Sequence, residues 1–252
     1  MPGSSSPLDQ SRYQVRLDWG QAGLARLASA DVVVIVDVLS WSGDMIDAVT
    51  RTEKSADAVA RTSEHVVGVA HADEPPVAAA SPEEPAGALA ISAAGSALVL
   101  VGTFSNAAAV ADAVLSVQTQ RAARTSVAVI PVGGSPAGEA PTGEPRFAVE
   151  DLLGAGAIID ALAQLGIDHS SPEAAVASEA FRSLRPALRH LIAACGSGQA
   201  LAAPGGNTRA AAELNTTEVV PSLTAGTRFS DFPAAHAEGA PLHDGDALER
   251  TG

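Results

Sequence analysis

Asp37 is a carboxylate where the local sequence has no structural use for one. The run Val32-Val-Val-Ile-Val36 before it is uniformly apolar and β-branched, the pattern of a strand buried on both faces. Small hydroxyl residues and a glycine follow in Ser40-Trp-Ser42-Gly, and then the amphipathic stretch Met45-Ile-Asp-Ala-Val49. An acid at the carboxyl end of such a strand, followed by the amides of a helix start, suits a metal ion and a bound phosphate. The same residue type also caps helices, and both roles are open for Asp37. Glu150-Asp151 is the second acidic pair, at the head of the apolar stretch Leu152-Leu-Gly-Ala-Gly-Ala-Ile-Ile159. Neighbours on a helix point about 100° apart. They therefore make no pincer on one ion: one side chain can face the sheet edge while the other caps or faces solvent. Acids in a first turn also complement the helix dipole, which is the simpler account of Asp44 and Asp47 as well.

These residues need a framework of alternating strands and helices. The first strand ends near Leu39, and the apolar spacing predicts a helix from Gly43 to about Thr52. His65–Ala70 reads as a short strand and Ala72–Pro85 as a loop. Ala97–Val101 is a second buried strand, turning at Gly102-Thr-Phe into a helix with Ser105 as its N-cap. Ser126–Val132 is another strong strand. A glycine- and proline-rich connection from Gly133 to Pro145 leads to the helix headed by Glu150-Asp151. A second long helix runs from Pro172 to about Ala194, closed by Cys195-Gly-Ser-Gly198. Glu218–Leu223 is a last strand, placed at an edge by Pro221. Alternation of this kind predicts an α/β fold: a three-layer α/β/α domain with a mixed, largely parallel sheet over residues 13–230. Residues 1–12 and 231–252 read as unstructured.

Composition narrows the function. Acids outnumber bases 29 to 15 in the 252 residues, a formal net charge of -14. That excludes nucleic acid and anionic membrane surfaces as partners, yet leaves room for a phosphorylated substrate, because one metal ion reverses a local field. Lys54 is the single lysine in an alanine-rich chain, a bias of composition rather than of mechanism. Cys195 is the single cysteine and lies in an apolar run, so a buried structural thiol is expected. The six histidines never stand at zinc-ligand spacing. Gly154-Ala-Gly156 lies inside a helix rather than after a strand, so close helix packing explains it better than a dinucleotide site. No P-loop and no Gly-x-Ser-x-Gly motif occurs. The first residues lack the pattern of a signal peptide and no apolar run approaches a membrane span, so a cytoplasmic location is expected. Self-association as a homo-oligomer is compatible with all of this.

Taken in order, five segments resemble the landmarks of the 2-phosphosulfolactate phosphatase family. They are Asp37-Val-Leu-Ser-Trp-Ser, Ser92-Ala-Ala-Gly-Ser96, Phe104-Ser105-Asn106-Ala-Ala, Val149-Glu-Asp-Leu-Leu-Gly-Ala-Gly156 and Ser197-Gly-Gln-Ala-Leu201. The most specific match is Phe147-Ala-Val-Glu150-Asp151-Leu-Leu-Gly-Ala-Gly-Ala157, and the similarity runs colinearly from about Val15 to Thr227. The resemblance implies a magnesium-dependent phosphatase acting on a small anionic phosphate ester, with Mg2+ as cofactor. It implies Asp37, Glu150 and Asp151 as catalytic acids and Asp37 and Glu150 as metal ligands. It also implies Ser40, Ser42, Ser96, Ser105 and Asn106 as lining for the phosphate. Three positions depart from the family pattern. Ser40 stands where many relatives carry arginine, Ala94 where they carry asparagine, and Asn207 where they carry an aspartate. These departures imply the alternative of a catalytically weak descendant that binds a ligand or partner.

Overall fold

The computed structural model describes residues 6–62, 84–134, 146–203, 208–224 and 229–232. Its centre is a six-stranded sheet in the order β1-β4-β2-β3-β5-β6. The strands are β1 (Val15–Leu17), β2 (Val32–Val36), β3 (Leu98–Gly102), β4 (Val127–Pro131), β5 (Pro221–Leu223) and β6 (Ser230–Asp231). The first four are mutually parallel; β5 runs antiparallel to β3, and β6 antiparallel to β5. Side chains alternate across the pleat. Val32, Val34 and Val36 therefore join one core with Phe104, Val110, Leu153 and Ile158, while Val33 and Ile35 join the other with Trp41, Met45, Leu89 and Val99. This is the α/β class with a helical layer on each face of a largely parallel sheet.

The helices are α1 (Gly20–Arg26), α2 (Trp41–Thr62), α3 (Pro85–Ala94), α4 (Ala107–Arg121), α5 (Val149–Gln164), α6 (Pro172–Leu184), α7 (Leu188–Ala194), α8 (Gly196–Ala202) and α9 (Thr208–Ala211). The chain leaving β2 enters the layer holding Trp41 and Met45, whereas the chains leaving β3 and β4 enter the layer of α4 and α5. Adjacent strands thus part to opposite faces at their carboxyl ends, on both sides of β2. Such a divergence opens a crevice at that edge of a parallel sheet.

Several elements differ from the sequence expectation. The long helix after Pro172 is interrupted: α6 ends at Leu184, a 3-10 turn covers Arg185–Ala187, and α7 resumes at Leu188. Pro186 has no N–H to continue the ladder, which accounts for the break. Cys195-Gly-Ser-Gly198 does not close a helix but opens α8, with the Cys195 sulfur accepting the Gly198 amide at 3.3 Å. β5 is not an edge strand, because β6 pairs on its outer side. After β3, Thr103 caps a 3-10 turn over Phe104–Asn106, joined reciprocally to Asn106 in a capping box, and α4 starts from Asn106 rather than from Ser105. Segment 6–12, read as unstructured, holds a 3-10 turn at Pro7–Asp9, and the Gln10 carboxamide bonds the amide and carbonyl of Leu17. At the other end Phe232 N–H still donates to the Val220 carbonyl at 2.8 Å. The expected strand His65–Ala70, most of the Ala72–Pro85 loop and the tail beyond residue 232 lie outside the described residues. Among the described residues no helix is long and apolar enough to cross a membrane.

Gly154-Ala-Gly156 is a packing device. A Cβ on Gly156 would stand 2.1 Å from the Ala177 carbonyl oxygen of α6, and one on Gly154 would stand 2.6 Å from Val38. Gly156→Ala gains about 1 kcal/mol of helix propensity. It loses more, because a backbone carbonyl inside a packed helix pair cannot swing aside, and overpacking of this kind costs about 3 kcal/mol. Urea unfolding is expected to show a net loss of about 2 kcal/mol, with an unchanged slope.

Candidate active site

The crevice beside β2 is closed by acids. Asp37 follows the last residue of β2, with its backbone N–H donating to Ser42 Oγ at 3.0 Å and its carbonyl accepting the Ser42 amide at 3.0 Å. Ser42 is fully buried, so its hydroxyl is spent inside the turn. The Asp37 carboxylate accepts the Ser40 hydroxyl just before α2 begins at Trp41. It also stands among like charges: burial, and then the charge of Glu150, raise its pKa above the ordinary carboxylate value against the opposing hydrogen bonds.

Glu150 and Asp151 open α5, and both side chains are buried, at 3% and 2% exposure. Neither faces solvent, so an outward-pointing partner in this pair is ruled out. Asp151 accepts Val38 N–H at 2.9 Å on one oxygen and Gly133 N–H at 2.9 Å on the other. It thereby clips the loop after β2 to the loop after β4. Burial first, then the charges of Asp37 and Glu150, push Asp151 well above the ordinary carboxylate range in spite of those two amides. Glu150 has no such clip: its carboxylate takes no backbone amide from the described residues. It lies against the Cys195 thiol, whose own pKa is raised by burial and by the Glu150 charge. Cys195 is a buried free thiol that accepts the Gly198 amide, as expected of a structural cysteine.

Asp37, Glu150 and Asp151 thus form one electrostatic cluster at the carboxyl edge of the sheet, drawn from the loop after β2 and the first turn of α5. Ser40 is the exposed hydroxyl at its rim. The other sequence candidates divide. Ser105 follows β3 at the same edge, where its carbonyl accepts the Thr216 and Thr217 amides. Asn106 is fully buried and its carboxamide is saturated by backbone: Oδ1 takes the Thr103 amide, and Nδ2 donates to Val101 and Val219 carbonyls. It holds the end of β3 to the approach of β5 and has nothing left for a phosphate. Ser96 precedes β3 and so lies at the opposite edge of the sheet, where its hydroxyl donates to the Ala93 carbonyl.

The sequence model of the 2-phosphosulpholactate phosphatase family matches residues 85–226, more than half of the chain. The chain belongs to that family. No curated protein matches it individually. The family match includes Glu150, Asp151 and the α8 segment but stops short of Asp37, which joins the site through the fold. As a phosphatase family by name, it fits a site that holds several hard oxygen donors. Two groups at this edge were absent from the sequence candidates, Gly133 and Arg146. Gly133 serves through its amide alone, which no side-chain motif reveals. Arg146 directly precedes the Phe147-Ala-Val-Glu150 motif, and that adjacency was the available signal.

Among the described residues no group of three or more His, Cys, Asp and Glu side chains is arranged to enclose a metal. Carboxylate oxygens are of the donor type that hard divalent ions take. Asp37 and Glu150 are carboxylates with raised mutual repulsion, and Asp151 already has both oxygens on amides. Magnesium is commonly held by one or two carboxylates, water and substrate phosphate rather than by an all-protein cage, so two carboxylates without a third ligand fit it.

Proposed function

We propose that the chain is a magnesium-dependent phosphatase that hydrolyses a small anionic phosphate ester at the Asp37–Glu150 edge. The observation that carries this reading is the concentration of three interacting carboxylates at the crevice beside β2, two of them held above their ordinary pKa. A cluster of that sign repels a phosphate ester on its own, so it reads as the seat of a cation. Asp37 and Glu150 would hold the ion, which when bound neutralises charge on the phosphoryl oxygens. Ser40 Oγ donates its one proton to Asp37 and so holds that carboxylate in place at the rim. Asp151 fixes the spacing of the two loops on which the reacting groups sit. Hydrolysis then breaks the ester P–O bond, with water supplying the new oxygen on phosphorus and a proton for the leaving alcohol.

The reading predicts release of phosphate from p-nitrophenyl phosphate in the presence of magnesium and its loss with a chelator. Two carboxylates alone make a weak site, so calorimetry should show weak magnesium binding to the free protein. A phosphonate analogue should tighten it by about 10- to 100-fold, the ordinary range of coupling between two ligands. A second reading, a binding protein that has lost turnover, is favoured by the fates of Ser42, Asn106 and Ser96. Two are consumed by the scaffold and one lies at the far edge. Binding of the phosphonate with no phosphate release under any divalent ion would select that second reading.

A further inference from the structure

We propose that the groove between the break after α6 and the segment following α9 is a second binding site, for an organic phosphate of the nucleoside diphosphate kind. The sequence marks one wall of it. Residues 182–190 carry three arginines and a histidine and no acid, in a chain whose formal net charge is -14. Arg182 turns away to Asp160 and Glu179. Arg185, Arg189 and His190 line a groove of about 740 Å³, and every residue lining it is among those described. None of Asp37, Glu150 and Asp151 borders it, so it is distinct from the acidic edge. Pro186 creates this wall: α6 stops at Leu184, Arg185 stands on the 3-10 turn, and the helix restarts at Leu188. The opposite wall, residues 212–216, is pinned to the start of α4. Asn215 turns the chain at φ 52°, and its amide donates to the Phe104 carbonyl at 2.9 Å. The Thr216 amide donates to the Ser105 carbonyl at 2.7 Å. Leu188 and Ala212 are buried in the core, which anchors both walls.

The fold makes little use of the cations at this groove. The Arg185 guanidinium and the His190 imidazole enter no hydrogen bond or ion pair among the described residues. Arg189 meets Glu213 across the groove only at 3.5 Å, with both side chains exposed, an arrangement that water screens. Two permanent cations against one carboxylate leave the groove positive whatever the charge of the imidazole. Its volume falls in the range of about 300–1,000 Å³ usual for small-molecule sites, more than a single phosphate fills. Pro186, Ala187 and Leu214 supply apolar surface for a planar body, and Thr216 supplies a hydroxyl. Two guanidiniums match two linked phosphoryl groups. A nucleoside diphosphate has both parts.

The test is calorimetric titration with ADP in the presence of a chelator. With no divalent ion the cluster of Asp37, Glu150 and Asp151 repels phosphate, so binding measured there reports the groove, whatever becomes of the phosphatase reading. The wild type should bind ADP. Arg185→Gln and Arg189→Gln should each weaken binding by about 10- to 100-fold, the size expected for loss of one charge-assisted contact. Glu213→Gln should instead tighten it, because the substitution removes the one acid of the groove. Pyrophosphate and adenosine should each bind more weakly than ADP, since each offers only part of the ligand. All three substitutions are at solvent-accessible side chains, and matching melting midpoints separate lost binding from lost fold. No binding of ADP at about 1 mM, the range of weak complexes, overturns the inference. So does binding that is indifferent to Arg185 and Arg189, or that weakens in Glu213→Gln. Pyrophosphate binding as tight as that of ADP overturns the assignment to an organic phosphate.

Discussion

Asp37→Asn is expected to lower kcat by about 10²- to 10⁴-fold, the range associated with loss of a charged group acting in the transition state, while the protein stays folded. The geometry separates the two functions of this residue. Its role in the turn before α2 needs an oxygen acceptor for the Ser40 hydroxyl, and asparagine, as good at helix starts as aspartate, keeps one. Its proposed role at the metal needs the negative charge, which asparagine lacks. Neutralising it also removes one of the like charges that burial and Glu150 hold above the ordinary pKa. A carboxyl raised in the folded state contributes stability that is complete below its unfolded pKa and is lost as pH rises through the folded value. The wild-type melting temperature should therefore fall, from this cause, over the window just above the ordinary carboxylate range, and Asp37→Asn should flatten that part of the profile. Thermal scans of both proteins across mildly acidic to neutral pH, alongside steady-state kinetics, test the two halves together. Undiminished turnover would make Asp37 a turn residue and nothing more.

The sequence made Asp37 visible for a simple reason: a carboxylate ending five buried β-branched residues is a local contradiction, and local contradictions collect at sites. Glu150 and Asp151 were visible as a pair, but their division of labour was not. The partners of Asp151 are the Val38 amide, 113 residues away, and the Gly133 amide, 18 away. Backbone donors leave no mark in residue types. Asn106 misled because a polar residue in a turn after a strand looks free, whereas the fold spends its whole carboxamide on three backbone groups. Ser96 was misplaced by reading order along the chain without direction: a residue that precedes a parallel strand belongs to the edge opposite one that follows it. β1 escaped notice because it is three residues long and carries Arg16 at its centre. That arginine is buried, with its guanidinium satisfied by the carbonyls of Tyr13, Ala28, Ser29 and Ser11. β2, β3 and β4 were plain because a strand buried on both faces needs an unbroken apolar run.

Asp151 and Glu150 should respond in opposite ways to loss of charge, although they are neighbours in one turn of α5. Removing the Asp151 side chain leaves the Val38 and Gly133 amides without their acceptors in a buried position, at about 1–3 kcal/mol each. Relief of repulsion with Asp37 and Glu150 offsets part of this, so Asp151→Ala is expected to lose about 2–4 kcal/mol in urea unfolding. Asp151→Asn should fall between it and the wild type. Its carboxamide presents one oxygen to one amide and turns its NH2 against the other, a donor facing a donor. Glu150→Gln breaks no backbone bond among the described residues, keeps the volume, and should unfold with a midpoint close to that of the wild type. Its loss should appear in turnover and in the magnesium dependence of turnover, because a neutral amide oxygen is a poorer ligand for the ion than a carboxylate. The pairing of measurements matters more than either alone. A stable, inactive Asp151→Asn beside an active Glu150→Gln would exchange the two roles, making Asp151 the acid of the site and Glu150 part of its wall.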